Sequence, residues 1–219
     1  MKIAILGKGI KLSYWENRLS ENSSIAWVQD TKSTENYDLF IDLEFDEHTE
    51  RILDYSQNSN TQFLLSANFV TIENALKDHQ VKNNGTNFFG FNSFPVFVDI
   101  HTIEMTNPYI SDIEVISNIL KSINFTKIHW VDSRVGLVTP RIICMIINEA
   151  YYTVMEGTAT KTDINLAMKL GTNYPKGPFE FVESIGLDNV YNQLLSLHKD
   201  TMDERYKICP LLKQEYLKL

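Results

Sequence analysis

The sequence has few cysteines and no long apolar segment. Cys144 and Cys209 are its two cysteines among 219 residues, which argues against a disulfide framework and favours buried structural thiols. A bilayer-spanning helix needs about 20 consecutive apolar residues, and no run in this sequence approaches that length. The initial segment MKIAILGKGI lacks the pattern of a secretory signal. We therefore expect a cytoplasmic protein with no membrane association.

Basic residues are also scarce. The chain carries 20 Lys and Arg against 28 Asp and Glu, which gives a formal net charge of -8 and a pI near 5.1. Nucleic-acid binding calls for concentrated Lys and Arg, so we expect no nucleic-acid partner. The same balance gives no general attraction for an anionic ligand, and no basic cluster is obvious in the sequence. We also expect no metal site.

The apolar residues that are present concentrate in a helical pattern between residues 136 and 186. From Thr139 onward they repeat at helical spacing on more than one face, which predicts a core helix enclosed by other elements. Thr139 can cap this helix and Gly157 can end it. Thr162 is placed to cap a second helix, and Gly171 to close it. The segment therefore predicts an all-helical module with tight connections.

The beginning of the chain has the pattern of a dinucleotide-binding unit. A short apolar run, Lys2 to Leu6, is followed by Gly7 and Gly9 and then by a potential helix. Leu12 replaces the third glycine of the fingerprint. Asp30 follows the second predicted strand, where a carboxylate can hold the adenosine ribose. Two interpretations stay open: NAD binding through Gly7, Gly9 and Asp30, or a tight turn and a solvated acid.

The helical segment also carries a family resemblance. INEAYYTVMEGTATKTDINLAMKLGTNYPKGPFEFVESIGLDNV closely resembles the C-terminal domain of the 3-hydroxyacyl-CoA dehydrogenases, the family of the 3-hydroxybutyryl-CoA dehydrogenases. The resemblance implies a Rossmann-like α/β domain with a mostly parallel sheet over residues 1–133 and an all-α domain over 134–219. It also implies NAD-linked oxidation of a 3-hydroxyacyl-CoA in fatty acid metabolism, and a homodimer formed through the C-terminal helices.

This chain is shorter than the family pattern in its first half. Between Asp30 and the next predicted strand, which begins at Asp38, only seven residues remain. Members of the family carry a long helical excursion there that contacts the CoA part of the substrate. The resemblance therefore implies a divergent member with a shortened sheet and a weaker hold on an acyl-CoA ligand.

The catalytic positions of the family fall between Phe88 and Glu104. Glu104 matches the family's glutamate, but Asn92 stands at the position of the catalytic histidine. Asn68 lies near the serine that contacts the substrate, and Pro140 replaces the asparagine of a helix-opening motif. Imidazole can accept the hydroxyl proton because its pKa lies near neutrality, whereas an amide can only hydrogen-bond the substrate oxygen.

Other histidines do not replace the missing one. His101 lies three residues before Glu104 on a predicted strand, so its side chain is expected on the opposite face. His129 lies in a predicted apolar strand and has the pattern of a structural histidine. Three functions stay open: a divergent dehydrogenase with its ordinary activity in question, a reductase or hydratase-like enzyme that uses Glu104 alone, and a non-catalytic dimeric scaffold or ligand-binding protein.

Overall fold

A computed structural model describes residues 1–19, 25–32, 34–82, 87–96, 101–106 and 113–219. The chain forms two compact units. The first runs from Met1 to Ser93 and includes a later part that ends at Leu137. The second contains Val138–Leu219 and a short segment that begins at Phe94. The assignment of 1–133 and 134–219 as separate functional domains remains a prediction.

A mostly parallel sheet organises the first unit. Its strands are β1 Ile3–Leu6, β2 Ile25–Val28, β3 Leu39–Asp42, β4 Gln62–Ser66, β5 Phe88–Phe91, β6 Thr102–Thr106 and β7 Lys127–Trp130, in the spatial order β2-β1-β3-β4-β5-β6-β7. All neighbours pair in parallel except β5 and β6. The strand order reverses between β1 and β3, and ligands of such sheets bind at the carboxyl ends of the strands beside that point. The predicted Rossmann-like fold is confirmed.

Helices cover both faces of this sheet. They are α1 Gly9–Arg18, α2 Ile52–Tyr55, α3 Ile72–Asp78 and α4 Ile113–Ser122, with 3-10 turns at Thr34–Asn36, Phe45–Glu47 and Thr49–Arg51. On one face, α1 and α4 close a core that includes Trp15, Phe89, Phe91 and Phe125. On the other face, α2 and α3 close a core that includes Phe40, Tyr55, Phe63 and Phe88. The inner strands β1, β3, β4, β5 and β6 are buried between the two helical layers, whereas the edge strands β2 and β7 are partly exposed.

A glycine in β5 is required by close packing. A Cβ atom on Gly90 would lie 2.5 Å from the Thr106 hydroxyl oxygen and 2.9 Å from the Cβ of Ala67. Both distances are shorter than a van der Waals contact allows, so a larger residue would force the strands apart. Gly90 therefore permits β5 to lie between its neighbours at the observed spacing.

The second unit consists of helices in the part that is described. They are α5 Thr139–Met155, α6 Lys161–Thr172, α7 Pro178–Ile185, α8 Leu187–Thr201 and α9 Pro210–Tyr216, with a 3-10 turn at Glu204–Tyr206. The predicted all-α architecture of the C-terminal part is confirmed. No helix in the described residues has both the length and the apolar character needed to cross a bilayer.

Helix α5 is buried along one face rather than enclosed. Its inward side chains are those of Ile143, Cys144, Ile147, Ala150 and Tyr151. On the other side, Ile142 is 50% exposed and Met155 is 44% exposed, so the expectation of a fully enclosed helix was wrong. Thr139 is the first helical residue rather than the cap. Gly157 follows the helix with a φ of 73°, which confirms its predicted role as the stop.

The ends of α6 differ from those expected. The side chain of Thr160, not Thr162, caps the helix by accepting a hydrogen bond from the backbone N-H of Asp163. The helix passes through Gly171 and ends at Asn173, which adopts a left-handed conformation with a φ of 56°. Asparagine tolerates this conformation better than most residues because its short amide can bond the local backbone. A glycine near the end of a predicted helix therefore does not by itself identify the residue at which the helix ends.

The connection between α6 and α7 depends on Gly177. A Cβ atom at this position would lie 2.5 Å from the backbone Cα of Asn165 and 2.3 Å from its Oδ1. Asn165 Oδ1 accepts a hydrogen bond from the N-H of Phe179, at 2.9 Å, and the carboxylate of Glu180 accepts one from the N-H of Gly177, at 2.7 Å. The close approach and these bonds explain the glycine and its neighbours in the segment YPKGPFEF.

Candidate functional site

The carboxyl ends of the parallel strands bring most of the predicted site residues to one edge of the sheet. Gly7 follows β1, and Asp30 follows β2 by two residues. Asn68 follows β4 by two residues, and Asn92 follows β5 directly. Because β1 to β5 are parallel, these four positions share the edge at which sheets of this kind bind ligands. Pro140 is in α5 of the second unit.

The glycine turn after β1 has two different roles. A Cβ atom on Gly7 would lie 2.8 Å from the side chain of Leu43, so Gly7 serves the packing of the chain itself. Gly9 has a φ of 59° and open space where its Cβ would be, which permits a ligand to approach the backbone. Leu12, at the third glycine position, packs against the core. The first turn of α1 contains no acidic residue and no side-chain cap, which suits an anion.

Asp30 lies at the same edge as this turn. The last residues of β1 and β2, Leu6 and Val28, are register partners. The Asp30 side chain is 59% exposed, and its ammonium partner Lys32 lies 3.9 Å away. Asp30 Oδ1 also accepts the backbone N-H of Lys32, at 2.9 Å. The carboxylate is thus held at the edge and is accessible, and its role toward a ribose remains a prediction.

A buried ionic cluster at the end of β3 was not anticipated. The side chain of Asp42 is fully buried, and Arg51 donates to both of its carboxylate oxygens at 3.1 Å. Tyr55 donates to Asp42 at 2.7 Å, and Arg51 also donates to Glu44 at 3.2 Å. Burial raises the pKa of Asp42, and the Arg51 charge offsets part of that effect. The sequence offered one signal, an acidic segment directly after a buried strand.

A second buried ion pair lies beside the glycine turn. Lys11 of α1 is 5% exposed; its Nζ donates to the carbonyl of Leu43 at 3.2 Å and lies 3.8 Å from Asp46 Oδ2. The other oxygen of Asp46 accepts the backbone N-H of Phe69, at 2.9 Å, and the Ser66 hydroxyl donates to Oδ2. Asp46 therefore links the helix of the glycine turn to the ends of β3 and β4.

Asn68 and Asn92 form the centre of the site. Both are buried, with exposures of 0% and 4%. The Nδ2 of Asn68 donates to the Oδ1 of Asn92 at 3.0 Å. Ser93 donates to Asn68 Oδ1 twice, from its backbone N-H at 3.1 Å and from its hydroxyl at 2.8 Å. The structure thus brings together the two asparagines that were singled out, and it adds Ser93 as a residue that the sequence did not indicate.

Glu104 lies opposite Asn92 across the antiparallel strand pair. The N-H of Asn92 donates to the backbone carbonyl of Glu104 at 3.0 Å, and Glu104 is 2% exposed. Residues that face each other across two strands project their side chains to the same face of the sheet. Asn92 and Glu104 are therefore neighbours on one face of the sheet, and their correspondence to the family's catalytic histidine and glutamate remains a prediction.

His101 and His129, the two histidines near Glu104 in the chain or in the sheet, lie at the surface. His101 is exposed, and its Nδ1 lies 2.8 Å from the carbonyl oxygen of Asn124. His129 is the register partner of Glu104 on β7 and is also exposed. Its position beside Glu104 could not be predicted because the register of β6 and β7 is not visible in the sequence. Neither histidine occupies the position of Asn92.

The arrangement can hold an oxygen atom but has no imidazole at its centre. Amides and hydroxyls donate and accept hydrogen bonds, yet none of them takes up a proton near neutral pH. In the described part of the chain, no group of three or more His, Cys, Asp or Glu side chains is placed to hold a metal ion. The roles of Gly7, Gly9, Asp30, Asn68, Asn92 and Glu104 toward a ligand remain predictions.

Several known proteins similar to this chain are named as dehydrogenases of 3-hydroxyacyl-CoA compounds. Residues 136–218 match the family model described as 3-hydroxyacyl-CoA dehydrogenase, C-terminal domain. A 3-hydroxybutyryl-CoA dehydrogenase of Bradyrhizobium diazoefficiens is 43% identical over 77 residues, which are 35% of this chain and 26% of that protein. The match therefore spans about a quarter of that relative. A protein of the same name from Clostridioides difficile is 28% identical over 218 residues, 96% of this chain and 75% of its own.

Solved structures share the fold along the whole chain. The (S)-3-hydroxybutyryl-CoA dehydrogenase of Ralstonia eutropha superposes with a TM-score of 0.74 at 17% identity, over 99% of this chain and 93% of that one. FadB2 of M. tuberculosis superposes with a TM-score of 0.77 at 13% identity and the same coverage. The solved structures show a shared fold, and the family model confirms the predicted resemblance of residues 136–218 to the C-terminal domain of the 3-hydroxyacyl-CoA dehydrogenases.

Proposed function

We propose that the chain is a divergent NAD-linked relative of the 3-hydroxyacyl-CoA dehydrogenases, able to bind an acyl-CoA of fatty acid metabolism but much slower in hydride transfer. One observation carries this proposal. The position opposite Glu104 holds an amide, Asn92, whose oxygen accepts a hydrogen bond from Asn68 at 3.0 Å. An amide can orient a substrate oxygen but cannot remove its proton.

The residues present fit the adenosine half of NAD. The open backbone at Gly9 and the uncapped start of α1 would hold the pyrophosphate, and the exposed carboxylate of Asp30 would hold the ribose. Lys8 contributes less, because its Nζ lies 3.7 Å from Glu44 and 3.5 Å from Glu47. NAD, when bound, would supply the hydride acceptor of the reaction.

The residues of this chain would then position the substrate. Asn92 and Asn68 would orient the reacting oxygen, and Glu104 is the carboxylate on the same strand pair that could exchange a proton. Removal of a well-placed acid-base group typically lowers a rate by about 10²- to 10⁴-fold. We expect turnover to be reduced relative to family members by a factor of that order.

A non-catalytic dimeric scaffold is the second candidate, and the surface of the helical unit favours it. Helix α6 has no buried residue, and its Leu166 and Leu170 are 53% and 78% exposed. Apolar surface of this kind is characteristic of protein interfaces. We propose that the chain forms a homodimer through its C-terminal helices, under either function. A monomer mass in light scattering at micromolar concentration would disprove the dimer.

The decisive experiment combines cofactor titration with one substitution. Calorimetric titration with NADH should show micromolar binding, and Asn92→His should raise dehydrogenase turnover with a 3-hydroxyacyl-CoA by at least tenfold. Asn74→His, at an exposed position of α3, is the matched control and should leave turnover unchanged. Absence of NADH binding would favour the scaffold. An Asn92→His variant that binds NADH without a gain in turnover would contradict the assigned role of Asn92.

A further inference from the structure

One buried carboxylate holds the chain on both sides of Asn68. Asp46 accepts a hydrogen bond from the hydroxyl of Ser66, two residues before Asn68. Its other oxygen, Oδ1, accepts the backbone N-H of Phe69, the residue after Asn68, at 2.9 Å. The Asp46 side chain is 0% exposed, and hydrogen bonds to a carboxylate are stronger than those between neutral groups. Asp46 therefore fixes the segment 66–69, which carries Asn68, at the end of β4.

The same contacts continue to Asn92. The hydroxyl oxygens of Ser66 and Ser93 lie 2.9 Å apart, and the Ser93 hydroxyl donates to Asn68 Oδ1 at 2.8 Å. Asn68 in turn donates to Asn92 Oδ1 at 3.0 Å. A displacement of the segment 66–69 would therefore move both amides that the proposed function assigns to the substrate oxygen.

Lys11 joins this carboxylate to the helix of the glycine turn. Its Nζ lies 3.8 Å from Asp46 Oδ2 and 5.3 Å from the centre of the Phe69 ring, and it donates to the carbonyl of Leu43 at 3.2 Å. Lys11 is 5% exposed and lies in the first turn of α1, which begins at Gly9. The ion pair therefore connects the start of α1, where the dinucleotide is proposed to bind, with the segment that carries Asn68.

Stability alone does not explain the burial of this pair. Removal of a lysine and an aspartate from water is costly, and apolar side chains of similar volume often stabilise a buried site equally well. An ion pair differs from apolar side chains because its donors and acceptors also fix the direction of their partners. Lys11 and Asp46 supply such a fixed direction where α1 meets the ends of β3 and β4.

We propose that Lys11 and Asp46 are positioning residues for the acyl-CoA part of the site. They hold Asn68, and through it Asn92, at a fixed place relative to the glycine turn, and they act through these amides rather than on the reacting atoms. This assignment deepens the proposed function and rests on it for the choice of the two ligands. Loss of the pair should weaken the binding of an acyl-CoA and leave the binding of the dinucleotide largely unchanged.

The main variant replaces the pair by apolar side chains of similar volume. Lys11→Met/Asp46→Leu removes one charge of each sign, so the net charge beside the glycine turn stays the same. Acetoacetyl-CoA and NADH are titrated separately into this variant and into the wild-type protein by calorimetry. The ester should bind at least about tenfold more weakly to the variant, as expected for the loss of one good hydrogen bond, whereas the affinity for NADH should change by less than about threefold.

Two further variants separate a positioning role from a general loss of structure. Asp78→Asn removes an exposed acidic side chain at the end of α3 and should keep both affinities. Asp46→Asn retains an acceptor for the N-H of Phe69 but presents N-H groups to Ser66, so it should weaken the ester by a smaller factor. It serves as the test if the main variant does not fold. A parallel fall in both affinities, or a wild-type affinity for the ester, would overturn the proposal.

Hydrogen exchange without a ligand separates this proposal from the proposed function. The N-H of Phe69 should exchange at least about tenfold faster in the main variant, relative to the amides of β1, because its carboxylate acceptor is lost. Faster exchange in a chain whose wild-type form binds neither ligand would remove the proposed function and retain Lys11 and Asp46 as positioning residues of Asn68. Unchanged exchange in the folded variant would overturn the proposal. Equal ester affinities in a wild type and a variant that both bind NADH would overturn it and leave the proposed function in place.

Discussion

The two units of the chain hold their shape by different means. At the carboxyl edge of the sheet, buried charges and amides hold the strand ends, as in the contacts of Arg51 with Asp42 and of Lys11 with Asp46. In the helical unit, close backbone approach is decisive, as at Gly177 against Asn165. Asn148 adds a double link from α5 to the carbonyl of Lys207 and the N-H of Cys209, each at 2.9 Å.

This difference agrees with the similarity to known proteins. The family model matches residues 136–218, whereas the full-length superpositions have identities of 17% and 13%. A sheet between two apolar layers accepts many residues of suitable volume. A helix junction in which a Cβ would collide with a backbone atom accepts only glycine. The family model thus matches the second unit, whereas the solved structures show a shared fold along the whole chain.

The largest effect on stability is expected from the buried ion pair of Arg51 and Asp42. Arg51→Met would leave Asp42 buried without its guanidinium partner, which typically costs about 3–5 kcal/mol. The pKa of Asp42 is already raised by burial and should rise further. A carboxyl whose pKa is higher in the folded than in the unfolded state loses stability as the pH rises through that range. Urea unfolding should therefore show a smaller loss at pH 5 than at pH 7, and a loss independent of pH would contradict this account.

One added methyl group at the junction of α6 and α7 should lower the stability of the protein. Gly177→Ala places a Cβ 2.5 Å from the backbone of Asn165, and we expect a loss of about 2–3 kcal/mol, as for overpacking. Gly171→Ala is the matched control, because nothing lies within 4 Å of its Cβ position. Inside α6 it should instead gain about 0.5–1 kcal/mol. Thermal unfolding of both variants checks the contrast, and similar effects would mean that close approach is not decisive.

In the sheet, Gly90 of β5 is likewise a position where close packing leaves no room for a Cβ atom. Gly90→Ala should cost about 1–3 kcal/mol because of the contacts with Thr106 and Ala67. Thr106→Ala should recover part of this loss in the double variant, since it removes the oxygen 2.5 Å from the new Cβ. A double-mutant cycle in urea measures the coupling. Additive effects would indicate that Ala67 alone is responsible.

The smallest effect on stability is expected at the partly exposed ion pair of Lys161 and Glu215 in the helical unit. Burial tends to raise the pKa of Glu215, but hydrogen bonds from Lys161 and Tyr151 outweigh it and hold the pKa below its ordinary value of 4.5. The contribution to stability is therefore present above that value and lost as the pH falls below it. Glu215→Gln should cost at most about 1 kcal/mol at pH 7, and nothing once the pH lies below both pKa values. A loss that persists in acid would exclude this electrostatic origin.

Much of the fold could be predicted from local patterns. The apolar run from Lys2 to Leu6 indicated the strand Ile3–Leu6, and helical spacing indicated the helical second half. The segment between β3 and β4 forms 3-10 turns and a short α2, which no single periodic pattern indicates. Helix caps were misplaced by a few residues, because several Thr and Gly residues near each end are chemically able to serve.

The candidate site could be predicted only in part. Asn68, Asn92 and Glu104 were identified by their place in a family pattern, and the sheet register puts Asn92 opposite Glu104. The residues that hold them were missed. Ser66, Ser93, Asp46 and Lys11 are distant in sequence and meet only when α1 packs beside the ends of β3 and β4. No periodic pattern in the sequence predicts such long-range contacts.

The sequence by itself determined the element types, the polarity of the surface and the presence of an amide side chain at residue 92, because these depend on residue chemistry and short-range spacing. The tertiary structure alone decided which way that amide points. The orientation follows from the backbone N-H of Ser93, which fixes the amide of Asn68, and from the hydrogen bond that Asn68 donates to Asn92. Hydrogen bonds between residues far apart in the chain exist only once the strands have paired.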